Sequence, residues 1–154
     1  MQRTLVILKP DAINRGLVGE IIQRFEHKGL KIVGMKMVHL KDEDLEEHYA
    51  HHRGKPFFKN LVEFMKRSPT LLVVLEGNQA VEVVRKMAGP TRGYEAPPGT
   101  IRGDFSMSQQ HNIIHAADSV ETAEKEIARF FKPSEIFPYQ RIDWEMVYAV
   151  DERE

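Results

Sequence analysis

The sequence predicts an α+β fold, a four-stranded antiparallel sheet with helices packed on one face, and three observations predict it. Short apolar or β-compatible runs recur at 4–8, 31–40, 70–77 and 112–115, and runs of that length suit buried strands. The intervening segments repeat their apolar residues at helical spacing. The order is strand, helix, strand, short helices, strand, helix, strand and a final helix. Two such halves make the split βαβ, ferredoxin-like αβ sandwich.

TLVIL (4–8) opens the chain as a buried strand. In the segment that follows, Leu17, Ile21 and Phe25 stand four apart with Val18 and Ile22 beside them, and Gly29 suits the end of that helix. KIVGMKMVHL (31–40) is the second strand, and Asp42 is placed to cap a short polar helix through Tyr49. A Pro-Phe-Phe corner leads to another short helix near 59–66, and then TLLVVLEG (70–77) is the clearest strand of all. Asn78 is the expected cap of a helix carrying Val81, Val84 and Met87 on one face and closed by Gly89. Residues 89–111 show no sustained periodicity, and a loop of that length in a compact domain usually has a function. NIIH (112–115) is a brief strand; Asp118 with Glu121 fits a capping box for the last helix, and Pro133 stops it.

The 154 residues read as a single domain over 1–154. A net charge of -1 recommends neither nucleic acid nor an anionic membrane as the main partner. The chain has no cysteine, which removes disulfides, thiol nucleophiles and Cys-based zinc sites and agrees with a reducing compartment. LLVVL (71–75), the longest aliphatic run, is too short to span a bilayer, and Lys9, Pro10 and Asp11 interrupt the place of a secretory signal's apolar core. The expectation is a soluble cytoplasmic protein.

No GxxxxGK[ST] and no GxGxxG follows a strand. Cations that suit phosphate stand elsewhere: Lys9 ends the first strand, Arg85 lies on a helix face, and Arg102 sits in GTIRGDF, where Gly99 and Gly103 would let backbone approach a ligand. His48, His51 and His52 in HYAHHRG could share a helix face, but without the glutamate of HExxH and without an evident third ligand. Phe57 and Phe58 suit either the core or a stacking platform. His115 ends the last strand just before a helix N-terminus, where dipole and free N–H groups favour phosphate; the bland reading is a satisfied core histidine. Glu126 lies about two turns along that helix from Asp118, from where it could face the imidazole.

ILKPDAINRGLVGEIIQRFEHKGLKIVGMK, HYAHHRGKPFF, PGTIRGDF and NIIHAADS together resemble the nucleoside diphosphate kinases, in the family's order and spacing from residue 3 to about 140. The resemblance implies transfer of the terminal phosphate from a nucleoside triphosphate, typically ATP, to a nucleoside diphosphate, by a ping-pong route through a phosphohistidine at His115. It implies Mg²⁺ carried mainly by the nucleotide phosphates, with no protein ligand assigned, and a homo-oligomer, hexamer before tetramer. Lys9, Tyr49, Arg85, Thr91, Arg102 and Asn112 fall on phosphate- and ribose-contacting positions, Phe57 on the base-stacking aromatic, and Glu126 on the carboxylate that orients the ring. Lys9 and Tyr49 join His115 and Glu126 in the implied catalytic set.

Three positions depart from the family. Ala117 stands where a serine is usual, Gln109 replaces an apolar residue opposite the base, and Gly93 replaces a proline, which would free the loop. Ala117 and Gln109 support the alternative, a catalytically impaired nucleotide-binding oligomeric scaffold or regulator.

Overall fold

The structure, a computed structural model, describes residues 1–153. Strands β1 (Gln2–Leu8), β2 (Lys31–Val38), β3 (Thr70–Gly77) and β4 (Ile114–Ala116) form one sheet in the order β2-β3-β1-β4, antiparallel at every pairing. That order is the split βαβ arrangement. The helices are α1 (Pro10–Asn14), α2 (Val18–Lys28), α3 (Asp42–His48), α4 (Phe58–Lys66), α5 (Ala80–Ala88), α6 (Ile101–Phe105), α7 (Val120–Phe130) and α8 (Trp144–Val147).

Helices cover both faces of the sheet rather than one. Val6, Leu8, Val73 and Leu75 pack with Phe25 of α2 and Val84 of α5, while Leu5, Ile7, Leu72 and Val74 pack with Leu45 of α3, Met65 of α4 and Ile127 of α7. The reason is visible in β1 itself. Successive strand residues point to opposite faces, so an unbroken run such as Leu5–Leu8 has two apolar faces to bury.

Several boundaries fall elsewhere than expected. Pro10 starts a separate short helix α1, since proline suits a first helical turn. The cap of α7 is Ser119, not Asp118: its hydroxyl accepts from Thr122 N–H at 3.0 Å. Asn78 does not cap α5; its amide donates to Glu152 O (3.2 Å), and Gln79 holds the N-cap position. Strand β4 is shifted to 114–116 because Ile113, at φ 73°, cannot continue an extended chain.

The stretch 89–111 is ordered by close packing. It contains a 3₁₀ turn at Gly93–Glu95 and the helix α6, whose cap Thr100 accepts from Gly103 N–H. A Cβ on Gly93 would collide with Ser106, and one on Gly103 with the Pro97 carbonyl. Gly93 is therefore a close-packing position and not a free hinge, and Gly103 serves loop packing rather than ligand approach. The C-terminal segment is tied down too. Phe137 N–H donates to Val33 O (2.7 Å), Tyr139 hydroxyl to Ile32 O (2.8 Å), and Arg153 Nε to Tyr148 O (3.0 Å).

Candidate active site

Strand register aims the central histidine. His115 pairs with Ile7 across the β1–β4 ladder. Its neighbours Ile114 and Ala116 belong to the α2/α5 side, so alternation turns the His115 ring to the side of α3 and α7. There Nε2 lies 3.0 and 2.7 Å from the two carboxylate oxygens of Glu126. The carboxylate accepts, so Nε2 carries the proton and Nδ1 is left with its lone pair. The approach to this strand is strained and pinned. Ile113 is held left-handed between Lys9 N–H, which donates to its carbonyl (2.8 Å), and Asp11, whose carboxylate accepts its N–H (3.0 Å).

A cavity of about 600 Å³ opens beside the ring, and Lys9, Tyr49, Phe57, Arg85, Thr91, Arg102, Asn112, His115 and Glu126 all line it. Its size lies within the range for small-molecule sites. Asn112, buried, is the connector. Its Oδ1 accepts from Lys9 Nζ (2.7 Å), and its Nδ2 donates to Thr91 O and Gln109 O (both 2.9 Å). Arg102 is laced to the scaffold through Gly89 O (2.7 Å), Ile114 O (2.6 Å) and Asn112 O (3.2 Å). Arg85 makes one longer bond, to Ala116 O at 3.3 Å. The Tyr49 hydroxyl is buried without a hydrogen-bond partner among the described residues. Phe57 keeps 36 % of its surface exposed and takes the His52 ring edge-on at 5.1 Å.

Burial and the cations around the cavity set the charge states. Burial first, then Lys9, Arg102 and Arg85, push His115 below the usual imidazole range, so the ring is neutral at pH 7. Burial raises Glu126, and it raises the Tyr49 phenol. Lys9 is lowered to about 8 by burial and then by Arg102. Arg102 falls to about 10, again by burial and then by Arg85, and stays charged at neutral pH.

The nine residues singled out from sequence thus share one cavity, but the histidine trio does not act as a set. His48 turns inward, 6 % exposed, with its ring edge-on to His115 at 4.5 Å, whereas His51 and His52 line the cavity mouth. Helix α3 ends at His48, and the 3₁₀ turn at Ala50–His52 breaks the spacing that would have aligned all three. Ala117 is fully buried in an apolar cluster with Val81 and Ala123, while Gln109 is exposed on the cavity wall. Sequence reasoning missed two residues. His48 was legible only as part of the trio, and Asp11, which anchors Ile113, carries no signal beyond its place after Lys9-Pro10.

Among the described residues two carboxylates reach the cavity, and Glu126 is already engaged by His115, leaving Asp118. Hard cations need several oxygen ligands. The donor set therefore fits a Mg²⁺ delivered on a phosphate-bearing ligand and does not fit a resident cage. A more open hollow of about 850 Å³ adjoins the site and shares Arg85 and Asp118, but it contains neither His115 nor Lys9.

The family model for nucleoside diphosphate kinase matches residues 2–136. The chain is 59 % identical over 147 residues to a nucleoside diphosphate kinase of Pyrococcus horikoshii, covering 93 % of this chain and 94 % of that one. It is 56 % identical over 152 residues to one of Parabacteroides distasonis, covering 99 % of each. Among solved structures it resembles a halophilic nucleoside diphosphate kinase from Halobacterium salinarum in complex with CDP. That match has a TM-score of 0.94 and 43 % identity, covering 96 % of this chain and 99 % of that one.

Proposed function

The chain belongs to the nucleoside diphosphate kinase family, and from that premise we propose that it moves the terminal phosphate of a nucleoside triphosphate, typically ATP, to a nucleoside diphosphate through a phosphohistidine at His115. One observation carries the reading: Glu126 accepts the Nε2–H hydrogen bond, so Nε2 keeps its proton and Nδ1 is the nucleophilic atom of a neutral ring beside Lys9, Arg85 and Arg102.

In the first half-reaction Nδ1 attacks the terminal phosphorus, the bond to the bridging oxygen breaks, and the diphosphate leaves. A second diphosphate then takes the phosphoryl group by the reverse path, which is ping-pong. Phosphoryl transfer demands in-line positioning and charge neutralisation above all. Lys9, Arg85 and Arg102 supply positive charge, Tyr49, Thr91 and Asn112 hold phosphate and ribose, and the exposed face of Phe57 stacks the base. Stacking tolerates every base because each has a π-face, which suits acceptance of different nucleobases, on ribo- and deoxynucleotides as substrates. The nucleotide's phosphates would carry Mg²⁺ into the cavity, where it would supply further charge neutralisation beside Lys9, Arg85 and Arg102. The family's nucleotide chemistry and the absence of cysteine support a cytoplasmic enzyme, carried by one domain over residues 1–154 and assembled as a homo-oligomer, hexamer before tetramer. Among the described residues no helix is long and apolar enough to cross a membrane.

The test is labelling. Incubation with γ-labelled ATP puts acid-labile phosphate on His115, and TDP removes it as labelled TTP; wild-type protein that takes no label refutes the reading. A pH dependence follows from Lys9. The free enzyme holds it charged below about pH 8 and neutral above, and only the ammonium attracts phosphate. Nucleotide KM is therefore flat below pH 8 and rises above it, by up to about tenfold per pH unit for one linked proton. A KM measured from pH 6.5 to 9.5 checks the sign, and Lys9→Arg moves the limb out of range.

A further inference from the structure

His48 is the polar group the reaction above leaves unused. It is buried, and its Nε2 has no hydrogen-bond partner among the described residues. Arg129 Nη1 lies 3.2 Å from its Nδ1; a guanidinium only donates, so Nδ1 accepts and Nε2 carries the hydrogen. A buried donor left unpaired is costly and calls for an explanation. The ring is fixed by Tyr49 at 4.6 Å and Phe130 at 5.5 Å, besides His115 at 4.5 Å. A ring nitrogen of His48, one of His115 and a Glu126 oxygen lie within 4.8 Å of one another. Such a set resembles a metal site, but Arg129 fixes the wrong tautomer of His48, and Lys9, Arg85 and Arg102 crowd His115 with positive charge.

We propose that His48 is a positioning residue of phosphoryl transfer, whose buried N–H holds the Glu126 carboxylate ionised so that the Nε2 proton stays on phosphorylated His115. The inference rests on the phosphohistidine reading. In the discharge step an oxygen of the acceptor diphosphate bonds to phosphorus, the P–Nδ1 bond breaks, and its electron pair returns to the ring. With the proton retained on Nε2 the ring leaves as neutral imidazole. If that proton has passed to Glu126 the ring must leave as an imidazolide anion, a far poorer leaving group. Burial already biases Glu126 toward protonation and Asp118 adds to that bias, while the charges of Arg129 and His51 oppose it. His48 itself is pushed down to about 2, mainly by burial, so it acts as a neutral dipole at every working pH. A ring nitrogen of His48 lies within 4.8 Å of a Glu126 oxygen, a separation that one water can bridge.

Single-turnover discharge of the isolated phosphoenzyme by TDP at neutral pH tests this. His48→Phe keeps the edge-on packing and removes the N–H; His48→Gln keeps an N–H donor. His48→Phe should take label fully but discharge about tenfold more slowly, the worth of one hydrogen bond to a charged group, with nucleotide KM unchanged. His48→Gln, which keeps a donor, should recover the rate. A wild-type discharge rate in His48→Phe overturns the inference, as does equal slowing in both variants. Normal labelling with either of those results leaves the phosphohistidine reading standing; a wild-type protein without label removes both.

Discussion

His115→Ala lowers steady-state transfer from ATP to TDP by about 10⁴–10⁶-fold, the scale of losing a covalent nucleophile. The loss is this large because the site has no second route. Direct transfer between two nucleotides would need both phosphate chains at one set of cations, and Lys9 and Arg102 line the His115 cavity but not the adjoining hollow. Nor can a neighbour take over: His48 Nδ1 is occupied by Arg129, and its Nε2 carries a proton. The variant keeps nucleotide affinity within a few fold, since Lys9, Arg102 and Asn112 remain tied to one another through the scaffold. A coupled assay together with equilibrium binding of ADP separates the two effects; retention of wild-type turnover would remove His115 from the reaction.

Arg102→Ala is expected to cost about 10³-fold in turnover, by comparison with other arginines that neutralise a transferring phosphoryl group. It also has a structural cost that Arg85→Ala lacks. The Arg102 guanidinium donates to three carbonyls, from Gly89, Asn112 and Ile114, and removing it leaves acceptors in a partly buried setting unpaired. Thermal unfolding should show a lower Tm for Arg102→Ala, at about 2–4 °C per kcal/mol for a chain of this size. Arg85→Ala, with one 3.3 Å bond to Ala116, should leave Tm nearly unchanged. Arg102→Lys retains the charge and loses the planar fork, so it recovers part of the rate and little of the Tm. Equal Tm values for Arg102→Ala and wild type would contradict the lacing role.

Retention of His115, Lys9, Arg102 and Glu126 in one cavity gives the scaffold alternative no support. Ala117, one of the two residues behind that alternative, lies in an apolar cluster with Val81 and Ala123 and carries no polar group into the site.

The strands and long helices were legible because aliphatic runs and helical periodicity record burial directly. Two-sided coverage of the sheet was legible in principle, since Leu5 through Leu8 leave no polar face. Local capping chemistry was less so. Asp118 and Ser119 are adjacent and equally good caps by type, and only backbone geometry decides between them. At the site, residue identities came through a motif resemblance, whereas contacts did not. That Glu126 reaches Nε2 and not Nδ1 depends on β4 register and on the pitch of α7. The separation of His48 from His51 and His52 depends on where α3 stops, one residue before Tyr49. Nothing in Asn112-Ile113-Ile114 announces a left-handed residue, because β-branched side chains strongly avoid that region.

That reversal at Ile113 has a mechanical consequence. A β-branched residue wound against its preferred hand stores on the order of 1–3 kcal/mol, and Lys9 and Asp11, flanking Pro10, clamp it from both sides. The imidazole two residues on thus inherits its aim from a preloaded main chain, much as a tool is held true by a tensioned mount. Precision at the reacting nitrogen is a property of the frame, and errors in the frame would be felt there first.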